Sequence, residues 1–211
     1  MSFFEPPPPP PEVEEHRQPE WMGPPENALP SSFPLALTLA RTEKVGIAAQ
    51  GGLAYPNGFA FRVVVVRREL IEPHAGDPFH RRHRGGGEFV DEALRFGVQF
   101  SDGGKATLFD THRWFGVEEG PTGPVLMQRG GSGGGRTWDF GFWVWPLPPD
   151  GPLAFVVEWP SEGIELTRVE IDASVVRAAA GHAETLWPEN EGPSSAGGGV
   201  FSQLRATRRR E

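Results

Sequence analysis

The chain has 211 residues, a net charge of −8 and no cysteine. Without cysteine there is no disulfide, no thiolate chemistry and no cysteine-held zinc, and an acidic body disfavours nucleic-acid backbones, which need arginine and lysine to displace counterions. The length suits one domain with tails, and 28 glycines beside a 37% hydrophobic content leave enough apolar material for a core.

Only Lys44 and Lys105 are lysines among 20 basic residues, an arginine bias that reads as genome composition rather than a binding surface. No stretch approaches the roughly 20 apolar residues of a membrane helix. The start, MSFFEPPPPPP, lacks the basic and apolar regions of a signal peptide. The expected location is the cytoplasm, with neither membrane nor nucleic acid as a partner.

Residues 1–32 read as a disordered, acidic, proline-rich tail. Pro6 to Pro11 is an unbroken run whose natural state is a polyproline helix. Six glutamates stand against one arginine, Arg17, and few apolar groups offset the entropy of ordering the segment. A preformed polyproline segment also docks at low entropic cost into an aromatic-lined groove. Trp21, Phe3 and Phe4 are unusual in a purely solvating tail and are candidates to pack back onto the domain.

The folded part is expected from Phe33 to Pro188. Phe33, Leu35, Leu37 and Leu39 alternate with smaller residues as in a half-buried strand. Val45, Ile47 and Ala49 suggest a second strand, and 51–58 has loop chemistry. A long strand follows from Phe59 to Ile71. Its valines 63–66 are apolar at both parities, which predicts cover on both sides.

Periodicity vanishes over 72–92. His74, Asp77, His80 and His83 make this loop a weak metal candidate, since imidazole and carboxylate suit zinc and related ions. The spacing matches no standard motif, and Arg81, Arg82 and Arg84 repel a cation. A solvated charged loop is the preferred reading, with no metal or other cofactor assigned.

Leu94, Phe96, Val98 and Phe100 lead into an Asp-Gly hairpin turn and a return over Lys105–Phe109. Residues 110–123 are irregular and hold Trp114. Val125–Gln128 reads as a short strand, and the glycines of 130–135 as a flexible joint. The stretch Arg136–Asp172 holds four of the seven tryptophans and reads as three successive strands. In the first, Trp138, Phe140, Phe142 and Val144 share one face, and Asp139, Gly141, Trp143 and Trp145 the other. The loop PLPPDGP turns back to a second stripe, Leu153, Phe155, Val157 and Trp159. Beyond Asp172, an expected N-cap, Val175, Ala179, Ala183 and Leu186 take helical spacing, giving one helix over 173–187. Residues 189–211 form a Gly/Ser-rich tail with a basic end, Arg205 and Arg208–Arg210. That end reads as a solubility feature; the alternatives are contact with RNA, with an acidic partner or with the chain's own acidic tail.

About nine short strands and one helix predict an all-β fold, an antiparallel two-sheet β-sandwich. Outward Trp143 and Trp145, with Asp139 and Trp114, form the candidate ligand-binding surface for a sugar ring, a small ligand or a peptide. Coverage by the helix or the tail is the competing expectation. No catalytic residue is assigned. Ser132 lies among glycines but lacks the strand–turn–helix context of a nucleophile elbow. Asp139 and Glu158, the one carboxylate pair worth weighing, are expected to face solvent opposite apolar stripes.

The segments RTEKVGI (41–47), AYPNGFAF (54–61), LRFGVQFSDG (94–103) and LAFVVEWP (153–160) together resemble uncharacterised proteins of high-GC actinobacteria, over 30–188. The resemblance implies no activity and carries over no functional residue. The leading expectation is a non-enzymatic protein-interaction or scaffold module with a protein partner. The alternatives are a carbohydrate- or small-ligand-binding module on exposed tryptophans, and a hydrolase or metal enzyme built on loop 72–92.

Overall fold

The computed structural model describes residues 18–70, 78–79, 93–110 and 120–187. In β2 (Ser31–Arg41), Phe33, Leu35 and Leu39 are buried while Pro34, Ala36 and Thr38 are exposed. β3 (Val45–Tyr55) turns Val45, Ile47 and Ala49 inward, and β4 (Gly58–Arg67) does so with Phe59, Phe61, Val63 and Val65. β3 runs on through 51–55, which sequence chemistry assigns to a loop. Gly51, at φ +68, carries the register shift between Gln50 and Leu53. Gly52 lacks the carbon that would stand 2.5 Å from the Phe33 ring. The four valines of β4 keep the period of two. Val63 and Val65 are fully buried, whereas Val66 is 48% exposed, so the described residues give no cover on the second side there.

β7 (Val125–Gly134) and β8 (Thr137–Trp145) pair through the glycine run. These glycines are not a joint: Gly131, Ser132, Gly133 and Gly134 oppose Phe140, Asp139, Trp138 and Thr137. The rings of Phe140 and Trp138 lie where Cβ atoms on Gly131 and Gly133 would stand. Aromatic rings laid over strand glycines supply the contact that glycine cannot. The resulting antiparallel sheet has the order β2-β3-β4-β8-β7.

The second sheet has the order β10-β9-β5-β6, from β5 (Arg95–Gln99), β6 (Lys105–Thr107), β9 (Pro152–Trp159) and β10 (Ile164–Asp172). The Asp-Gly turn between β5 and β6 forms as expected, with Gly103 at φ +90 and the Gly104 N–H donating to Asp102 Oδ1 at 2.8 Å. The PLPPDGP loop does not close a hairpin. β8 pairs with β4 and β7, and β9 with β5 and β10, so the loop crosses from one sheet to the other. Its prolines cannot donate to a ladder, and the crossing brings two apolar stripes face to face. Phe61 packs on Phe155, Phe142, Phe96 and Phe59, with ring centroids 5.2–5.9 Å apart. Phe79 enters the same cluster 4.8 Å from Phe140. Such offset and edge-on pairs add to the area that they bury.

Two polar devices close this body. Arg67, at the end of β4, pairs with Glu162 in the 3-10 turn Pro160–Glu162 and lies 5.5 Å over the Trp159 ring, clamping one sheet to the other. On the outer face of the second sheet, Arg168 reaches from Glu170 to Gln99, the two register neighbours of Ala154, which is fully buried.

Helix α1 (Ser174–Ala180) is shorter than its periodicity predicts. The Ser174 N–H donates to the Asp172 carboxylate at 2.8 Å, and Val176, Ala179 and Ala180 pack inward against β2 and β3. Gly181, a poor helix former, ends it. Ala183 and Leu186 therefore leave the helix, and β11 (Glu184–Thr185) pairs with β1 (Ala28–Leu29). Asn27 accepts from the Leu186 N–H and donates its amide to the Trp187 carbonyl, both at 2.8 Å. The folded body thus begins before Phe33: residues 18–32 are held at two places, and only 1–17 of the expected tail lie outside the described residues. The described residues form an antiparallel two-sheet sandwich of nine main strands, with β1–β11 and one short helix added.

Candidate functional site

Side chains of the opposite parity build the outer face of the five-stranded sheet. At one end, register sets Leu53, Ala60, Trp143 and Met127 in a row, with Trp145 and Val125 paired beside it. Trp143, Val125 and Met127 are buried there, joined by half-buried Tyr55, Ala60 and Trp145. Tyr55 meets Trp143 edge-on at 5.6 Å. The Trp143 indole also lies close over Gly58, 2.6 Å from where a Cβ would stand.

The lid on this cluster is the 3-10 turn Glu20–Met22. The chain enters through Pro19 at φ −56, ψ 141, close to polyproline geometry. The Trp143 indole N–H donates to the Glu20 carbonyl at 3.2 Å, and Trp145 donates to the Glu20 carboxylate at 3.4 Å. Arg129 Nη1 donates to the Met22 carbonyl at 2.9 Å, and Trp21 packs into the apolar cluster. Burial pushes the Tyr55 phenol above its ordinary pKa. An aromatic floor with donors aimed at main-chain carbonyls is chemistry for holding a short turn of polypeptide.

Trp143 therefore takes the outward parity that its strand predicts, yet it is 0% exposed and offers no open ring face for a sugar. Trp145 is half-buried and bonded to the same lid. Asp139 is held by Arg62, whose Nε donates to Oδ1 at 2.7 Å while its Nη2 donates to Oδ2. Glu158 pairs with Arg95 at 2.6 Å. Asp139 and Glu158 lie on different sheets, each at the parity opposite its apolar stripe, so they do not flank a common cleft. Trp114, His74, Asp77, His80 and His83 lie outside the described residues. Among the described residues, no group of three His, Asp or Glu is placed to hold a metal ion. Nor is any of their helices long and apolar enough to cross a membrane.

Sequence reasoning missed Tyr55, Val125, Met127 and Arg129 as parts of this site. Val125 and Met127 share a parity, but only register sets them against Trp145 and Trp143. The visible signal was Trp21 between Pro19 and Pro24-Pro25.

Fold and site together define an antiparallel β-sandwich that holds a stretch of its own N-terminal region over an aromatic cluster on an outer sheet face. Comparisons with protein-family models, with curated proteins and with solved structures return no match.

Proposed function

We propose that this chain is a non-enzymatic protein-interaction module whose aromatic cluster, once uncovered, is a groove that binds a short proline-flanked peptide in a 3-10 turn. The supporting observation is the way residues 18–23 are held. Glu20 and Met22 offer main-chain carbonyls to Trp143 and Arg129, the Glu20 carboxylate accepts from Trp145, and Trp21 fills the apolar space. Main-chain contacts beside one aromatic anchor and one carboxylate suit segments with prolines at their flanks and an acid followed by a large ring between them. The chain's own segment is then a ligand in cis, present at an effective concentration on the order of millimolar through its short tether. A partner takes the groove by outcompeting that tether.

The experiment is a titration of the full-length Trp21→Ala variant with a synthetic peptide of residues 16–27, followed by fluorescence anisotropy. The variant binds the peptide, and the unaltered chain binds it about ten- to a hundredfold more weakly. A folded Trp21→Ala chain with no affinity for the peptide sinks the proposal. Affinity purification with the same variant as bait, beside the unaltered chain, then seeks the natural partner.

A further inference from the structure

The other end of the same sheet face is a second surface, set apart from the groove by the Arg62–Asp139 pair. Its floor is small and apolar: Gly46 opposes Val66, and Ala48 opposes Val64. Val66 is 48% exposed, and no atom comes within 4 Å of the position a Cβ on Gly46 would take. Its rim is cationic. Arg41, Lys44, Arg68 and Arg136 are all exposed. They come from separate turns joined by main-chain bonds, with the Arg68 N–H donating to the Lys44 carbonyl and the Arg67 N–H to the Arg136 carbonyl, both at 2.8 Å. Glu43 and Glu69 are the acids at the same end.

We infer that this cation-rimmed end docks the chain's own acidic N-terminal segment, residues 1–17. The segment carries Glu5, Glu12, Glu14 and Glu15 against Arg17, with Phe3, Phe4 and Val13 as apolar groups. Its charge complements the rim, and its rings suit the valine floor. It joins the described chain at Gln18, whose side chain lies with Arg129 against Gly23, already on this face. Six residues of β8 separate Trp143 from Thr137, about 20 Å at ~3.4 Å per residue. Seventeen residues span about 50 Å in polyproline form, so reach is ample. The rival segments fit less well. Residues 80–84 carry three arginines, and 188–211 ends in Arg208–Arg210, both the same sign as the rim. This docking does not depend on the groove accepting a partner.

The absence of cysteine makes the test clean. Ser2→Cys in the full-length chain gives a single attachment point for a nitroxide, and amide signals report which residues it approaches. The expected result is loss of most of the signal at Gly46, Ala48, Val64 and Val66. Recovery is expected in 1 M salt, where the screening length falls to about 3 Å, and on combined Arg41→Glu, Arg68→Glu and Arg136→Glu. Broadening confined to the neighbourhood of Gln18, or spread evenly over the surface, overturns the inference. Should the triple variant lose its dispersed spectrum, the salt titration on the unaltered rim decides.

Discussion

Trp143 and Glu20 stand 123 positions apart, and the indole N–H of the first donates to the main-chain carbonyl of the second at 3.2 Å. This bond fixes the N-terminal turn on a central strand. Trp143→Phe keeps most of the ring and orphans that carbonyl; the expected loss is about 1–2 kcal/mol in urea denaturation. Trp143→Ala also empties the floor of the groove and should cost about 3–5 kcal/mol. Equal losses for the two variants would show that the hydrogen bond, not the packing, holds the lid.

Tyr55 is the only tyrosine of the chain, so its phenolate absorbance reports on the groove alone. Burial raises its pKa above 10.0. A raised folded-state value means that the folded chain keeps this proton where the unfolded chain begins to lose it. The contribution to stability is therefore complete below pH 10 and is lost as pH rises through the folded value. Trp21→Ala uncovers the cluster, and the Tyr55 titration midpoint moves down toward 10.0. A midpoint unmoved by that substitution would place the desolvation in the sheet rather than in the lid.

The strands of Arg136–Asp172 could be read directly, because a period of two in Trp138–Val144 and Leu153–Trp159 has one physical meaning. The glycines of β7 carry no side chain and so no pattern; the rings that hold them belong to β8. The loop PLPPDGP looks the same whether it closes a hairpin or crosses between sheets, so the partners of β9 stayed hidden. The parity of Trp143 could be read as well, and cover by the tail could be expected, but not its partner, because Glu20 returns to it from 123 positions away. Ala183 and Leu186 continue a helical spacing that Gly181 has already broken.

Two glycines in one strand separate steric need from composition. A methyl on Gly133 would overlap the Trp138 indole, whereas nothing lies within 4 Å of that position on Gly134. Gly133→Ala should destabilise by about 1–3 kcal/mol through forced repacking. Gly134→Ala should stay within about 0.5 kcal/mol of the parent. Chemical denaturation of the two variants, side by side, measures the difference.

Asp172 accepts the Ser174 N–H at the start of α1, and that bond holds its carboxyl below the ordinary value of 3.8. A depressed folded-state pKa gives stability that is present above the unfolded value and lost as pH falls through the folded one. The gap in denaturation midpoint between the parent and Asp172→Ala should be constant at neutral pH and close below the carboxylate range. A gap that persists in strong acid would assign the effect to propensity instead.

Arg67 and Glu162 form an ion pair well shielded from water, with side chains 19% and 10% exposed, and they join β4 to the turn between β9 and β10. Exposed pairs contribute little, but a shielded pair that loses one member leaves the other desolvated without its partner. Glu162→Gln should destabilise by about 1–3 kcal/mol. Arg67→Met keeps an unbranched chain on the Trp159 face and removes both charge–ring and charge–charge contact. The double variant should then recover part of the Glu162→Gln loss, because no cation remains stranded. A double-mutant cycle in urea at low and high salt checks this. Losses that simply add, or that vanish at high salt, would make the pair a surface contact and leave the apolar core to join the sheets at this end.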